Sequence, residues 1–131
     1  MRQICTTIEQ SKKLLEAGLN PETADMFYNP TMDIDNGNCA GFLDIPECIP
    51  FNEIKEHKEL YMPGWSLTTL LSLMGDCKLH TPPTEYGGRY RCYDSKHEFW
   101  SDEPVDAVFK MFVHLALEEA AKVLKDFHDN E

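Results

Sequence analysis

Apolar positions along this chain recur with different spacings in different places, and the spacing sets the element. From Val105 the apolar residues fall at Val108, Phe109, Phe112, Ala116, Ala120, Val123, Leu124 and Phe127, a 3.6-residue period that predicts one long helix over 103–127. Met111, Val113, Leu115 and Leu117 widen the stripe until the middle turns are apolar on most sides. A helix of that kind packs on more than one face. Ser101 or Asp102 is expected to cap it, with Pro104 in the first turn and Glu103 and Asp106 where the helix dipole favours negative charge. Full cover within a monomer is the expectation, from the other helices on one side and a sheet on the other. Incomplete cover predicts a symmetric homodimer instead, because large apolar patches are rarely left in water.

Two shorter helices precede it. Ile8, Leu14, Leu15 and Ala17 give a partial stripe, Thr6 with Glu9 forms a capping box, and Gly18 supplies a left-handed stop. Asn20-Pro21 restarts a short turn, since proline suits the first helical position. Further on, Ser66 caps a helix whose face is Leu67, Leu70, Leu71 and Met74 and which ends at Gly75. Trp65 then precedes the cap and Leu70 stands at the fourth helical position, the arrangement of a hydrophobic staple. A buried staple is therefore the favoured role of Trp65, and a ligand platform the alternative.

Strand signals lie between the helices. Met26-Phe27-Tyr28 reads as a short strand and Phe42-Leu43-Asp44-Ile45 as a returning one, with a reversal at Asn36-Gly37. Pro30, Gly41, Pro46, Pro50 and Pro63-Gly64 break every other periodicity in residues 29–64, which reads as structured but loop-rich. Tyr90-Arg91-Cys92-Tyr93 and Lys96-His97-Glu98-Phe99-Trp100 flank Asp94-Ser95 as a hairpin. Helices at both ends with hairpin-like strands between them predict an α+β fold in a single domain over 1–131: an antiparallel sheet of three or four short strands packed against the long C-terminal helix, with shorter N-terminal and central helices.

Charge narrows the choice of partner. Twelve Lys and Arg face 23 Asp and Glu, a net charge of −11. The acid is even, −6 over residues 1–65 and −5 over 66–131, so it reads as a solvated coat. Such a surface disfavours direct binding to a nucleic-acid backbone and suits a basic protein partner. No apolar run has the length of a membrane span, and the first residues lack a signal-peptide core, so neither membrane association nor export is expected. Five cysteines without an export signal are expected as reduced thiols in the cytoplasm.

Catalytic chemistry is poorly represented. Cys77-x2-His80 and Cys92-x4-His97 together carry zinc-type ligands, but neither pair is a Cys-x2-Cys knuckle. No metal or other cofactor is therefore expected. No cysteine sits in a nucleophile motif, so Cys–His catalysis is not expected either. His114 lies between Lys110 and Glu118 at four-residue spacings, which reads as a solvated polar stripe in preference to a base oriented by Glu118. Asp33 and Asp35 with Asn36-Gly37 open like a calcium loop, yet Asp44 stands where its glutamate belongs. Gly87-Gly88-Arg89 with Arg91 is the locally basic, flexible patch, read as a hinge into the hairpin. Trp65, Arg89, Arg91 and Trp100 are the candidate ligand-binding residues, and no catalytic residue is assigned.

The stretches Ile4-Cys5-Thr6-Thr7-Ile8-Glu9-Gln10-Ser11-Lys12-Lys13-Leu14-Leu15, Thr23-Ala24-Asp25-Met26, Pro63-Gly64-Trp65-Ser66-Leu67 with Leu70-Leu71, Tyr90-Arg91 and Pro104-Val105-Asp106-Ala107-Val108-Phe109 occur in that order. In this the chain resembles a group of uncharacterised small acidic proteins encoded by gut bacteria and by their prophages and mobile elements. That pattern has alanine where this chain has Gly64, which is expected to loosen the approach to the cap. The resemblance implies a cytoplasmic accessory protein and carries over no functional residue. The expected function is accordingly that of a non-catalytic binding or regulatory protein acting through protein–protein contacts. The alternative is a small enzyme or ligand-binding protein with its pocket between Trp65 and the 90–100 hairpin.

Overall fold

A computed structural model describes residues 3–32, 39–80 and 89–129, and among these the chain forms three α-helices around small antiparallel sheets. The first helix, α1, spans Ile8–Glu16 and is capped by Thr7, whose hydroxyl accepts from Gln10 N while the Gln10 side chain returns to Thr7 N. The capping box therefore sits one residue later than Thr6 and Glu9. Thr6 is drawn away because its own groups are bonded into the core, as described below. Gly18 takes a positive φ of 97° just beyond the helix, and Asn20 caps a single 3₁₀ turn at Pro21–Thr23.

Strand β1, Met26–Tyr28, pairs antiparallel with β4, Met62–Gly64, with Phe27 opposite Pro63. A proline is tolerated in β4 because Phe27 turns its own N–H and C=O the other way, exchanging both bonds with Glu47. Between them β2, Pro30–Met32, pairs with β3, Cys39–Phe42. The returning strand thus ends at Phe42 where it was expected to run to Ile45. After Leu43 N bonds Asn29 O, the chain bends at Asp44 and Ile45 to bring Glu47 to the far edge of β1. The Asn36-Gly37 reversal lies outside the described residues, as do Asp33, Asp35 and Gly87-Gly88.

Helix α2, Leu67–Met74, is capped by Ser66 and ends at Gly75. The three-stranded sheet follows: β5, Lys78–His80, then β6, Tyr90–Tyr93, and β7, Glu98–Ser101, in the order β5-β6-β7. Among the described residues the expected sheet beneath the long helix has three strands, and two separate two-stranded ladders stand beside it. Lys96 and His97 are held out of β7, because the Asp94 carboxylate accepts from both of their backbone N–H groups and folds 94–97 into a closed loop.

Helix α3, Pro104–Asp129, packs across β6 and β7 and against α2 and α1. Its first backbone bond runs from Ala107 N to Glu103 O, so Glu103 stands at the cap, and Ser101 bonds Glu103 N from two residues upstream. Val105, Val108 and Met111 are fully buried with Leu14, Trp65, Leu70 and Cys92, whereas Phe112 is half-buried. Cover also stops early. Leu117 is 63 % exposed and Ala120 is exposed, so the stripe is not enclosed along its described length by this one chain.

A polar knot joins α1 to the segment before α2. Thr6 N donates to Trp65 O, Trp65 N donates to Thr6 Oγ1, and Thr6 Oγ1 meets Ser11 Oγ at 2.8 Å, all without solvent contact. Tyr28 adds a hydroxyl bond to Thr6 O. Gly64 lies against this knot. A Cβ there would come 3.2 Å from Cys5 Sγ and 3.4 Å from Tyr28 Cε2, so the glycine serves close approach rather than looseness.

Candidate functional site

Trp65 is completely buried, and its indole N–H is bonded to Thr23 Oγ1. In this structure it is the staple beneath α2, and no described surface depression includes it.

The β5-β6-β7 register sorts the remaining candidates onto two faces. Leu79, Cys92 and Phe99 stand across from one another and face the core under α3, while His80, Arg91 and Trp100 form the adjacent rung. Side chains alternate along a strand, so His80 projects away from Cys92. The four-residue zinc set of Cys77, His80, Cys92 and His97 is therefore divided by the sheet. Burial pushes the Cys92 thiol up to about 12 and raises that of Cys77, which disfavours the thiolate a nucleophile requires.

On the outer face Arg91 and Trp100 do meet. The Arg91 guanidinium lies 4.1 Å from the Tyr93 ring centroid and 5.9 Å from that of Trp100, and it bonds Glu98 at 2.7 Å. Arg89, 3.7 Å from Asp102, lines a shallow hollow of about 270 Å³ together with Trp100 and Lys110. Arg91 is thus already neutralised by Glu98 and stacked on aromatic rings.

His97 belongs to a different grouping, in which the hairpin loop meets α3. Its Nδ1 lies 3.2 and 3.3 Å from the two Asp94 carboxylate oxygens, and its Nε2 lies 2.9 Å from Glu118 Oε1. The same Glu118 oxygen is 3.3 Å from His114 Nε2, one helical turn back. The two imidazoles touch at a centroid distance of 4.6 Å, and Phe99 backs His114 at 5.3 Å. Asp94 is itself fixed by the Lys96 and His97 N–H groups, which hold its carboxyl below the usual range. The bonds to Asp94 and then Glu118 raise the pKa of His97, and the bond from His97 lowers that of Glu118. The His114–Glu118 pair was legible as a four-residue spacing. The approach of His97, 21 residues from Glu118, was not, because it depends on how the hairpin seats on α3.

A second feature is the irregular segment from Leu43 to Glu59. Leu43, Ile45 and Ile49 are 50 %, 79 % and 44 % exposed, and Asp44, Glu47, Glu53, Glu56 and Glu59 are exposed between and after them. Five carboxylates stand against Lys55 and Lys58 here, and Lys58 is already bonded to Glu22. Ile49, Glu53 and Glu56 border an open hollow of about 360 Å³ whose apolar wall is Phe27, Ile54 and Tyr61. No helix among the described residues is long and apolar enough to cross a membrane. Comparison with protein families, with curated proteins and with solved structures finds no match to this chain.

Proposed function

We propose that this chain is a non-catalytic accessory protein of the cytoplasm, of the kind carried by gut bacteria and their prophages, that binds a basic, amphipathic segment of a partner protein. The single observation that carries this reading is that Leu43, Ile45 and Ile49, within seven residues of sequence, are all exposed among exposed carboxylates. Exposed aliphatic side chains on a polar rim are the composition of a protein-binding surface, and the surplus acid selects a cationic partner. The wider charge of −11 would speed the encounter and repel a bare phosphate backbone. Each large aliphatic group buried on docking contributes roughly 1.5–3 kcal/mol, and the flanking charges add register and rate.

A fluorescent synthetic peptide of alternating lysine and leucine tests this by anisotropy. Saturable binding is expected, weakened at least tenfold by the Ile45→Ser, Ile49→Ser double substitution, since about 1.4 kcal/mol corresponds to tenfold. Binding should also fall several-fold as salt is raised. A peptide with serine in place of leucine should bind far less well. Equal binding of the two peptides, or no effect of the double substitution, overturns the proposed surface.

A further inference from the structure

We propose that His97, His114 and Glu118 form a binding site for a divalent ion of the zinc class, with Asp94 as the residue that orients His97. The three side chains place their ligand atoms within 4.8 Å of one another. Two ligands at 2.0–2.1 Å from a tetrahedral zinc lie about 3.3 Å apart. The His97 Nε2 to Glu118 Oε1 and His114 Nε2 to Glu118 Oε1 separations are 2.9 and 3.3 Å, so two edges of that tetrahedron exist already. The third edge, between the imidazoles, is already within 4.8 Å and closes by a side-chain rotation of His114, which is half-exposed on α3.

The supporting shell is equally specific. Asp94 accepts the Nδ1 proton of His97, so that when an ion displaces the Nε2 proton now shared with Glu118, the freed lone pair already points into the site. A carboxylate behind a histidine in this way fixes the tautomer and strengthens the imidazole as a donor to a metal. Asp94 is in turn clamped by two backbone N–H groups, so the loop holds the orientation before any ion arrives. His114 and Glu118 are one turn apart on a continuous helix, with His114 backed by Phe99 of the sheet. Two imidazoles and one carboxylate suit zinc and its neighbours over magnesium or calcium, which favour all-oxygen sites. Three protein ligands leave a fourth position open, and Glu118 is 45 % exposed, so that position faces solvent. The site is therefore built for an exchangeable ion with a water, or a donor from another molecule, as its last ligand.

Calorimetric titration of the chelator-treated full chain with zinc chloride tests the assignment. One equivalent is expected to bind, and His114→Asn and Glu118→Gln should each weaken it by at least tenfold. Asp94→Asn should weaken it about 10–100-fold with the stoichiometry unchanged. Cys48→Ser should leave the affinity as it is. Cobalt(II) supplies the second readout, showing ligand-field absorption without the charge-transfer band of a thiolate, and imidazole proton resonances of both histidines should shift. No saturable binding at millimolar zinc, a thiolate band, or loss of binding on Cys48→Ser with retention on Glu118→Gln overturns the site. Glu118 is exposed and His114 half-exposed, so a folded far-ultraviolet spectrum is expected of each variant. The peptide assay of the docking strip is independent, because Leu43, Ile45 and Ile49 contribute nothing here.

Discussion

Replacing Thr6 with valine tests whether a buried hydroxyl fastens the N-terminal helix to the rest of the fold. Valine matches threonine in shape, so the change removes one oxygen and little volume. Two fully buried groups lose a partner: Trp65 N–H, 3.1 Å from Thr6 Oγ1, and the Ser11 hydroxyl, 2.8 Å from it. An orphaned buried polar group costs roughly 1–3 kcal/mol. The serine can turn back to the carbonyl of its own preceding turn, so it counts for less than the amide. The expected loss is about 2–4 kcal/mol, equivalent to a melting point lower by about 10 °C in a domain of this size. Urea denaturation should show a lowered midpoint with an unchanged slope. Thr6→Ser keeps the hydroxyl, loses one methyl and should cost only about 1 kcal/mol. Ser11→Ala should hurt the native protein more than it hurts the Thr6→Val variant, by a coupling of about 0.5–3 kcal/mol. A Thr6→Val protein within about 0.5 kcal/mol of the original, or one no worse than Thr6→Ser, would refute the reasoning.

Other substitutions probe the core, the close approach and the thiols. Met111→Ala should cost about 2–5 kcal/mol by denaturation, more than Phe112→Ala, because Met111 is fully enclosed and Phe112 is not; Lys110→Ala on the exposed side should stay within about 0.5 kcal/mol. Gly64→Ala should destabilise by about 1–2 kcal/mol, since Cys5 Sγ is held by Thr6 O and Tyr28 and cannot retreat, and Cys5→Ala should recover part of that loss in the double variant. In a thiol-labelling time course read by peptide mass, Cys48 should react before Cys77, while Cys5 and Cys92, both buried and with raised pKa values, should react only on unfolding.

Elements announced by local chemistry were legible in the sequence. Ser66 and Gly75 bracket α2, Pro104 opens α3, and the alternation around Asp94-Ser95 marks a hairpin. The misread positions are those where a distant partner decides. Thr6-x-x-Glu9 and Thr7-x-x-Gln10 satisfy the same capping rule, and Trp65, 59 residues from Thr6, chooses between them. Strand β4 carries a proline that argues against a strand until Phe27 is seen bonding Glu47 instead. Strand β5, three residues after a helix, is too short to show alternation and exists because β6 pairs with it. The candidate site follows the same division. Arg91 and Trp100 meet because they share a rung, whereas His97, which the spacing sets beside the cysteines, bonds Asp94 in its own loop and Glu118 on α3.

The early end of cover along α3 has a consequence for how the molecule opens. The helix has 26 residues, about 39 Å of backbone, and the enclosed side chains belong to its first three turns. Beyond Ala116 the described side chains are exposed, and a helical stretch without packing is marginal in water. Amide hydrogen exchange should therefore divide the helix. Amides from Val108 to Val113 should exchange only through global unfolding, and those from Leu117 to Lys122 through fraying that sacrifices no packing. The bond between Glu118 and His97 lies at that boundary and pins the first uncovered turn to the hairpin loop. Zinc bridging the same residues would carry slow exchange about one turn further toward the C-terminus, so ion occupancy would be written in the deuterium pattern of a helix whose fold does not change.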